Sequence, residues 1–162
     1  MNGQLPKLYL IPSASGAEIR GEVAAWLFRG GLAACGRNDW TMARVIFSRS
    51  LRTGPADIAT LNNLAVCHAA CDEALEAVAL LHWAEELDLY HGPAGGTAFA
   101  NRAMLSAHVG RVEEAVEYAE AALSLNPGVA AWQAAHVAYT ASGKLALANK
   151  YREEKLLEST NA

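Results

Sequence analysis

Cys67, His68 and Cys71 form the densest cluster of chemically capable side chains in the sequence. Two thiolates and an imidazole are zinc ligands by type, and Cys67 and Cys71 share one helix face a turn apart. His68, however, points away from the line joining the two cysteines, and no second cysteine pair exists to complete a tetrahedral set. These side chains are therefore expected to serve as buried packing, and no metal is predicted. His82, His91, His108 and His136 stand singly, without a His-Glu-x-x-His pair. Gly92-Pro93-Ala94-Gly95-Gly96 lacks the Lys-Ser/Thr that a phosphate-cradling loop requires, and Gly-x-Ser-x-Gly does not occur. Glu85-Glu86 and Glu113-Glu114 lie in helical stretches dominated by charge and read as solvated faces. The sequence predicts neither an enzyme nor a cofactor.

Composition narrows the class. A chain of 162 residues suffices for one well-buried domain, and its apolar content is mostly Ala and Leu, which favours helix. The formal charge of −4 argues against a general nucleic-acid binder. The charge is unevenly spread: residues 1–55 carry Lys7, Arg20, Arg29, Arg37, Arg44, Arg49 and Arg52 against three acids, whereas the remainder is acidic. Three cysteines without framework spacing fit a reducing compartment, so a cytoplasmic chain is expected. Leu8-Tyr9-Leu10-Ile11 is far shorter than a signal-peptide core and is interrupted by Pro12, and charges or histidines break every other apolar run. No membrane partner is predicted.

The elements that must position these side chains are marked by a recurrence. With Ala43, Ala77, Ala115 and Ala148 as anchors, Phe47, Leu81 and Ala119 follow four residues later, and Ser50, Ala84 and Ala122 seven later. Gly31, Ala65, Ala103 and His136 stand twelve before, and the turn-like Asn38, Asp72, Gly110 and Gly143 five before. One interval is longer, by a short insert around Gly92-Pro93-Ala94-Gly95.

Residues 1–14 hold two prolines around an apolar centre and read as an extended arm. Ser15 and Glu18 make a capping box for a first helix running to about Cys35. Asp39 caps the next, through Leu51, and Gly54-Pro55 closes the pair. Further pairs are expected at about 56–70 with 73–88, where Asp72 caps the second helix, then 97–109 with 111–125, and 128–141 with 144–158. Asn126-Pro127 supplies a cap and first-turn proline for the last pair.

At this spacing, about 34 residues, the chain resembles the tetratricopeptide repeat family over roughly residues 24–162. The copies are about 24–57, 58–91, 96–128 and 129–162. The first and third carry the pattern best, with Gly31, Ala43, Phe47 and Pro55, and with Ala103, Gly110, Ala115, Tyr118, Ala122 and Pro127. The fourth departs, since His136 fills a small-residue slot and Arg152 and Lys155 replace apolar residues, as suits a terminal repeat with a solvated outer face. The resemblance implies an all-α fold, a right-handed superhelical array of antiparallel helix pairs preceded by the arm at residues 1–14.

In that family the first helix of each pair lines a concave surface that holds an extended peptide. The resemblance places Phe28, Arg29 and Leu32, then Asn62, Asn63 and Val66, then Ala100, Asn101, Met104 and His108, then Gln133 and Val137 on that lining. Asn63 and Asn101 occupy equivalent places where backbone-binding members often carry Asn. An amide side chain donates to a peptide C=O and accepts from its N–H at once, so it grips a main chain irrespective of sequence. The alternative is that both amides merely satisfy polar groups of neighbouring repeats. The cationic clamp of the heat-shock chaperone class is missing, because Phe28, Leu32, Thr97 and Asn101 stand at its places. In size, mild acidity and repeat count the chain resembles small type III secretion chaperones of the family.

The expected function is therefore a protein-binding adaptor or chaperone whose groove takes an extended or apolar segment of a partner. Two alternatives stand beside it. One is a structural subunit using the basic first repeat. The other is an RNA-binding helical repeat, disfavoured because only Trp40 and Phe47 lie near the arginines and Phe47 occupies a core place. The apolar arm is expected to cover the face of the first repeat, or else to occupy a groove of the same or a neighbouring molecule, in the latter case making a homodimer.

Overall fold

The computed structural model describes residues 7–12 and 21–161, with side chains as far as Glu154. Among the described residues there are eight α-helices and no strand: α1 Glu22–Gly36, α2 Trp40–Thr53, α3 Ile58–Ala70, α4 Ala74–Glu86, α5 Gly92–His108, α6 Val112–Leu125, α7 Val129–Ala141 and α8 Leu145–Asn161. They divide into two compact units, Met1–Tyr90 and His91–Ala162.

Each helix pair is joined by a turn of the same construction. Between α1 and α2, α3 and α4, α5 and α6, and α7 and α8 lie three residues, and the middle one is always left-handed: Asn38 (φ 58°), Asp72 (63°), Gly110 (82°) and Gly143 (76°). The next residue returns its N–H to a carbonyl five positions back: Asp39 to Ala34, Glu73 to His68, Arg111 to Ser106 and Lys144 to Tyr139. This is the Schellman closure, which satisfies helix-end carbonyls and reverses the chain sharply. Asn, Asp and Gly tolerate that backbone where branched residues do not, so the residues five before each anchor recur for a conformational reason.

In the first unit α1 packs on α2, α2 on α3 and α3 on α4. The anchors Ala43 and Ala77 are fully buried, with Phe47, Leu81, Ser50 and Ala84 beside them. In the second unit α5 packs on α6 and on α7, α6 on α7, and α7 on α8, around the equally buried Ala115, Ala119, Ala122 and Ala148. The two units differ in one respect: α5 packs closely on α7, whereas the corresponding approach of α1 to α3 is slight. There the buried Cys35 and Cys67 stand with their sulfurs 3.8 Å apart.

Several boundaries correct the sequence expectations. α3 begins at Ile58 because Asp57 caps it, its carboxylate accepting from the Thr60 amide at 2.9 Å and the Thr60 hydroxyl at 2.6 Å. Asp72 does not cap α4; it takes the left-handed turn, leaving Glu73 at the N-cap without a side-chain cap bond. Gly92-Pro93-Ala94-Gly95 is no insert outside the helices but the first turn of α5, with Pro93 in the position where a missing N–H costs nothing. Gly96, the next residue, has a packing reason, since a Cβ there would fall 2.6 Å from the Asn126 Cβ. Asn126 is the C-cap of α6 and Gly128 the N-cap of α7, so Asn126-Pro127 is a link between helices and not a helix start. α1 begins at Glu22 after Gly21. The proposed capping box Ser15/Glu18 lies outside the described residues.

Candidate peptide-binding site

α3 is buried along nearly its whole length, polar residues included: Thr60, Asn62 and Asn63 expose nothing to solvent. A buried amide must find partners, because an unsatisfied polar group costs about 1–3 kcal/mol. Those partners come from residues 7–12, a segment with neither helix nor strand that lies against α3.

Asn63 Oδ1 accepts from the Ile11 amide at 2.7 Å, and Asn63 Nδ2 donates to the Ile11 carbonyl at 2.9 Å. The neighbouring Asn62 Nδ2 donates to the Tyr9 carbonyl at 3.0 Å and to Asn63 Oδ1 at 3.2 Å, which fixes the two amides against each other. The N–H and C=O of one residue point the same way only in an extended backbone, so Asn63 acts toward Ile11 as a neighbouring β-strand residue would. These bonds to the segment go to main-chain atoms. The Ile11 side chain is 4% exposed; Leu8, Tyr9 and Leu10 are half-buried, and Lys7 and Pro12 are exposed. Burial raises the Tyr9 phenol above its ordinary pKa.

Of the places expected for the arm, its described residues 7–12 take one on their own chain, bonded to α3 of the second helix pair, while Val23 and Trp26 of α1 remain exposed at 61% and 68%. Asn63 meets the main chain of Ile11 of its own molecule. Of the other expected lining residues in this unit, Phe28 and Val66 are buried, Leu32 is half-buried and Arg29 is exposed. Phe28 packs edge-on against Phe47 at 5.7 Å, a core contact.

In the second unit Ala100, Asn101 and Met104 are completely buried, while His108, Gln133 and Val137 are half-buried. Nearby, Arg102 bonds Glu114 at 3.2 Å and stacks on the Tyr118 ring at 4.5 Å, and Ser106 donates to Glu114 at 3.1 Å. Burial works against the Glu114 carboxylate, but the bonds from Arg102 and Ser106 outweigh it and hold its pKa below the usual range.

A second polar knot had no signal in the sequence. Arg44 of α2 donates from Nη1 to both Glu73 oxygens at 2.6 Å, and His68 Nδ1 lies 2.6 Å from Glu73 Oε2. The Arg44 hydrogen bonds hold the Glu73 carboxyl below its usual pKa, and Glu73 raises that of Arg44. Cys67 and His68 are therefore engaged in different directions, the thiol with Cys35 and the imidazole with Glu73. Among the described residues no three His, Cys, Asp or Glu side chains are grouped to hold a metal ion, and no described helix is long and apolar enough to cross a membrane.

No protein-family model and no curated protein matches the chain.

Proposed function

We propose that the chain is a helical-repeat protein-binding module of the tetratricopeptide kind, an adaptor or chaperone that holds an extended segment of a partner protein on the groove of α3. The observation that carries this is the paired bond from Asn63 to the N–H and C=O of Ile11. A side chain that already grips one extended main chain has the geometry to grip another, because nothing in those bonds depends on the residue's identity. The four equivalent turns and buried alanine anchors support the repeat assignment.

The alternative surface, the basic first pair, is less favoured. Arg44 is committed to Glu73, and Arg52 Nε donates to the Ser48 carbonyl of its own helix. Phe47 is fully buried, which removes it from any base-stacking role.

The test is a pull-down from source-cell lysate with quantitative mass spectrometry, comparing wild type with Asn63→Asp, whose helicity is first checked by circular dichroism. The substituted carboxylate keeps the acceptor for an N–H but faces the second carbonyl with like charge. A partner lost from the variant supports the groove. A partner retained equally by both overturns it and directs attention to Arg37 and Arg49.

A further inference from the structure

We propose that residues 7–12 are the resident occupant of this groove and that a partner segment enters by displacing them, so that binding is controlled by competition within the chain. The proposal rests on the groove function above and adds its regulation and the chemistry of its ligand.

Both functional ends of the Asn63 amide are used by Ile11, and neither Asn62 nor Asn63 exposes any surface. An incoming peptide therefore cannot add to the groove as it stands; it must take the place of Ile11. The exchange is close to balanced in hydrogen bonds, because the main-chain bonds lost by the arm are remade by the ligand and the released arm is solvated by water. What then decides the outcome is the side chain delivered to the Ile11 place. That place buries an aliphatic residue almost completely, while two residues earlier a half-buried tyrosine stands where the carbonyl meets Asn62. The ligand class is an extended segment with an aliphatic residue at the position held by Asn63 and an apolar one two before it. A segment with a charge at the first of these positions is excluded by desolvation.

The probe is a fluorescein-labelled peptide of residues 7–12, Lys-Leu-Tyr-Leu-Ile-Pro, amidated at its C-terminus. It is titrated by anisotropy into the full chain as wild type, Ile11→Asp, and Ile11→Asp with Asn63→Asp. The expected result is binding to Ile11→Asp at least tenfold tighter than to wild type, lost in the double variant. Equal affinity for wild type and Ile11→Asp, or no binding to a folded Ile11→Asp, overturns the proposal. Should Ile11→Asp lose its helical signal, amide exchange in wild type decides instead. Excess unlabelled peptide should deprotect the Ile11 amide, and unchanged protection overturns displacement. Protection that rises with protein concentration places the arm on a second copy and overturns competition within the chain. A lysate partner that needs Asn63 but is captured equally by wild type and Ile11→Asp leaves the groove function standing and removes this inference alone. Capture independent of Asn63 removes both.

Discussion

Gly31 of α1 lies directly over the ring of Phe47 of α2: a Cβ at Gly31 would stand 2.6 Å from two of its ring carbons. Phe47 is fully buried and packed edge-on against Phe28, so it has nowhere to move. Gly31→Ala gains up to about 1 kcal/mol of helix propensity but overpacks at about 1–3 kcal/mol. The net expectation is a loss of up to about 2 kcal/mol, seen as a lower urea midpoint; a midpoint above that of wild type would show that α1 and α2 separate freely.

Asn63→Ala leaves the Ile11 amide and carbonyl without their buried partner. The expected cost is about 1–3 kcal/mol, with overall helix content unchanged because the helical backbone bonds of α3 are untouched. Urea unfolding gives the cost, and amide exchange at Ile11 should accelerate while that in the middle of α3 does not.

The turns allow a test with opposite signs. Gly110→Ala places a Cβ at φ 82° and should cost about 1–2 kcal/mol, whereas Asn38→Gly at φ 58° should be neutral or stabilising by less than about 1 kcal/mol. Paired thermal melts measure both; a destabilising Asn38→Gly would mean that the Asn38 side chain does more than tolerate the turn.

Glu73 gives a pH dependence. Its folded carboxyl lies below the ordinary value of 4.5 because Arg44, and after it His68, bond the ionised form. A depressed carboxyl stabilises the fold above its unfolded pKa and loses that contribution as pH falls through the folded one. The difference in melting temperature between wild type and Glu73→Gln should therefore be present at pH 7 and close progressively below about pH 4.5. A gap that persists at pH 2.5 would assign the effect of Glu73→Gln to packing instead.

The thiols should separate by reactivity. Cys71 is half-buried, whereas Cys35 and Cys67 are buried, and the hydrogen bond that the Cys67 thiol shares with Cys35, together with burial, pushes the Cys67 thiol well up. Ellman's reagent on the native protein should label one thiol quickly and the other two only as fast as the chain opens, with all three fast in denaturant. Rapid native labelling of two thiols would contradict the burial of this pair.

The sequence alone determined the all-helical class, the pairing of helices and the places where the chain reverses. These follow from local chemistry: Ala and Leu favour helix, and Asn38, Asp72, Gly110 and Gly143 accept a left-handed backbone that most residues resist. The buried alanine anchors were equally legible, because close packing of two helices leaves a small-residue spacing in the chain itself. The sequence reads as an insert at Gly92–Gly95 because glycine marks both loops and close approaches, and only the tertiary structure shows the helix starting there, with Asn126 close to Gly96. Arg44, His68 and Glu73 meet across 29 residues and carried no spacing to announce it. An amide offers a donor and an acceptor together, so the sequence leaves Asn63 open between holding a ligand main chain and satisfying polar groups of its own molecule, and it does not say which main chain is met. Which of several possible grooves an apolar segment enters depends on surfaces assembled from distant helices, and only the tertiary structure placed Ile11, 52 residues away, in the hand of Asn63.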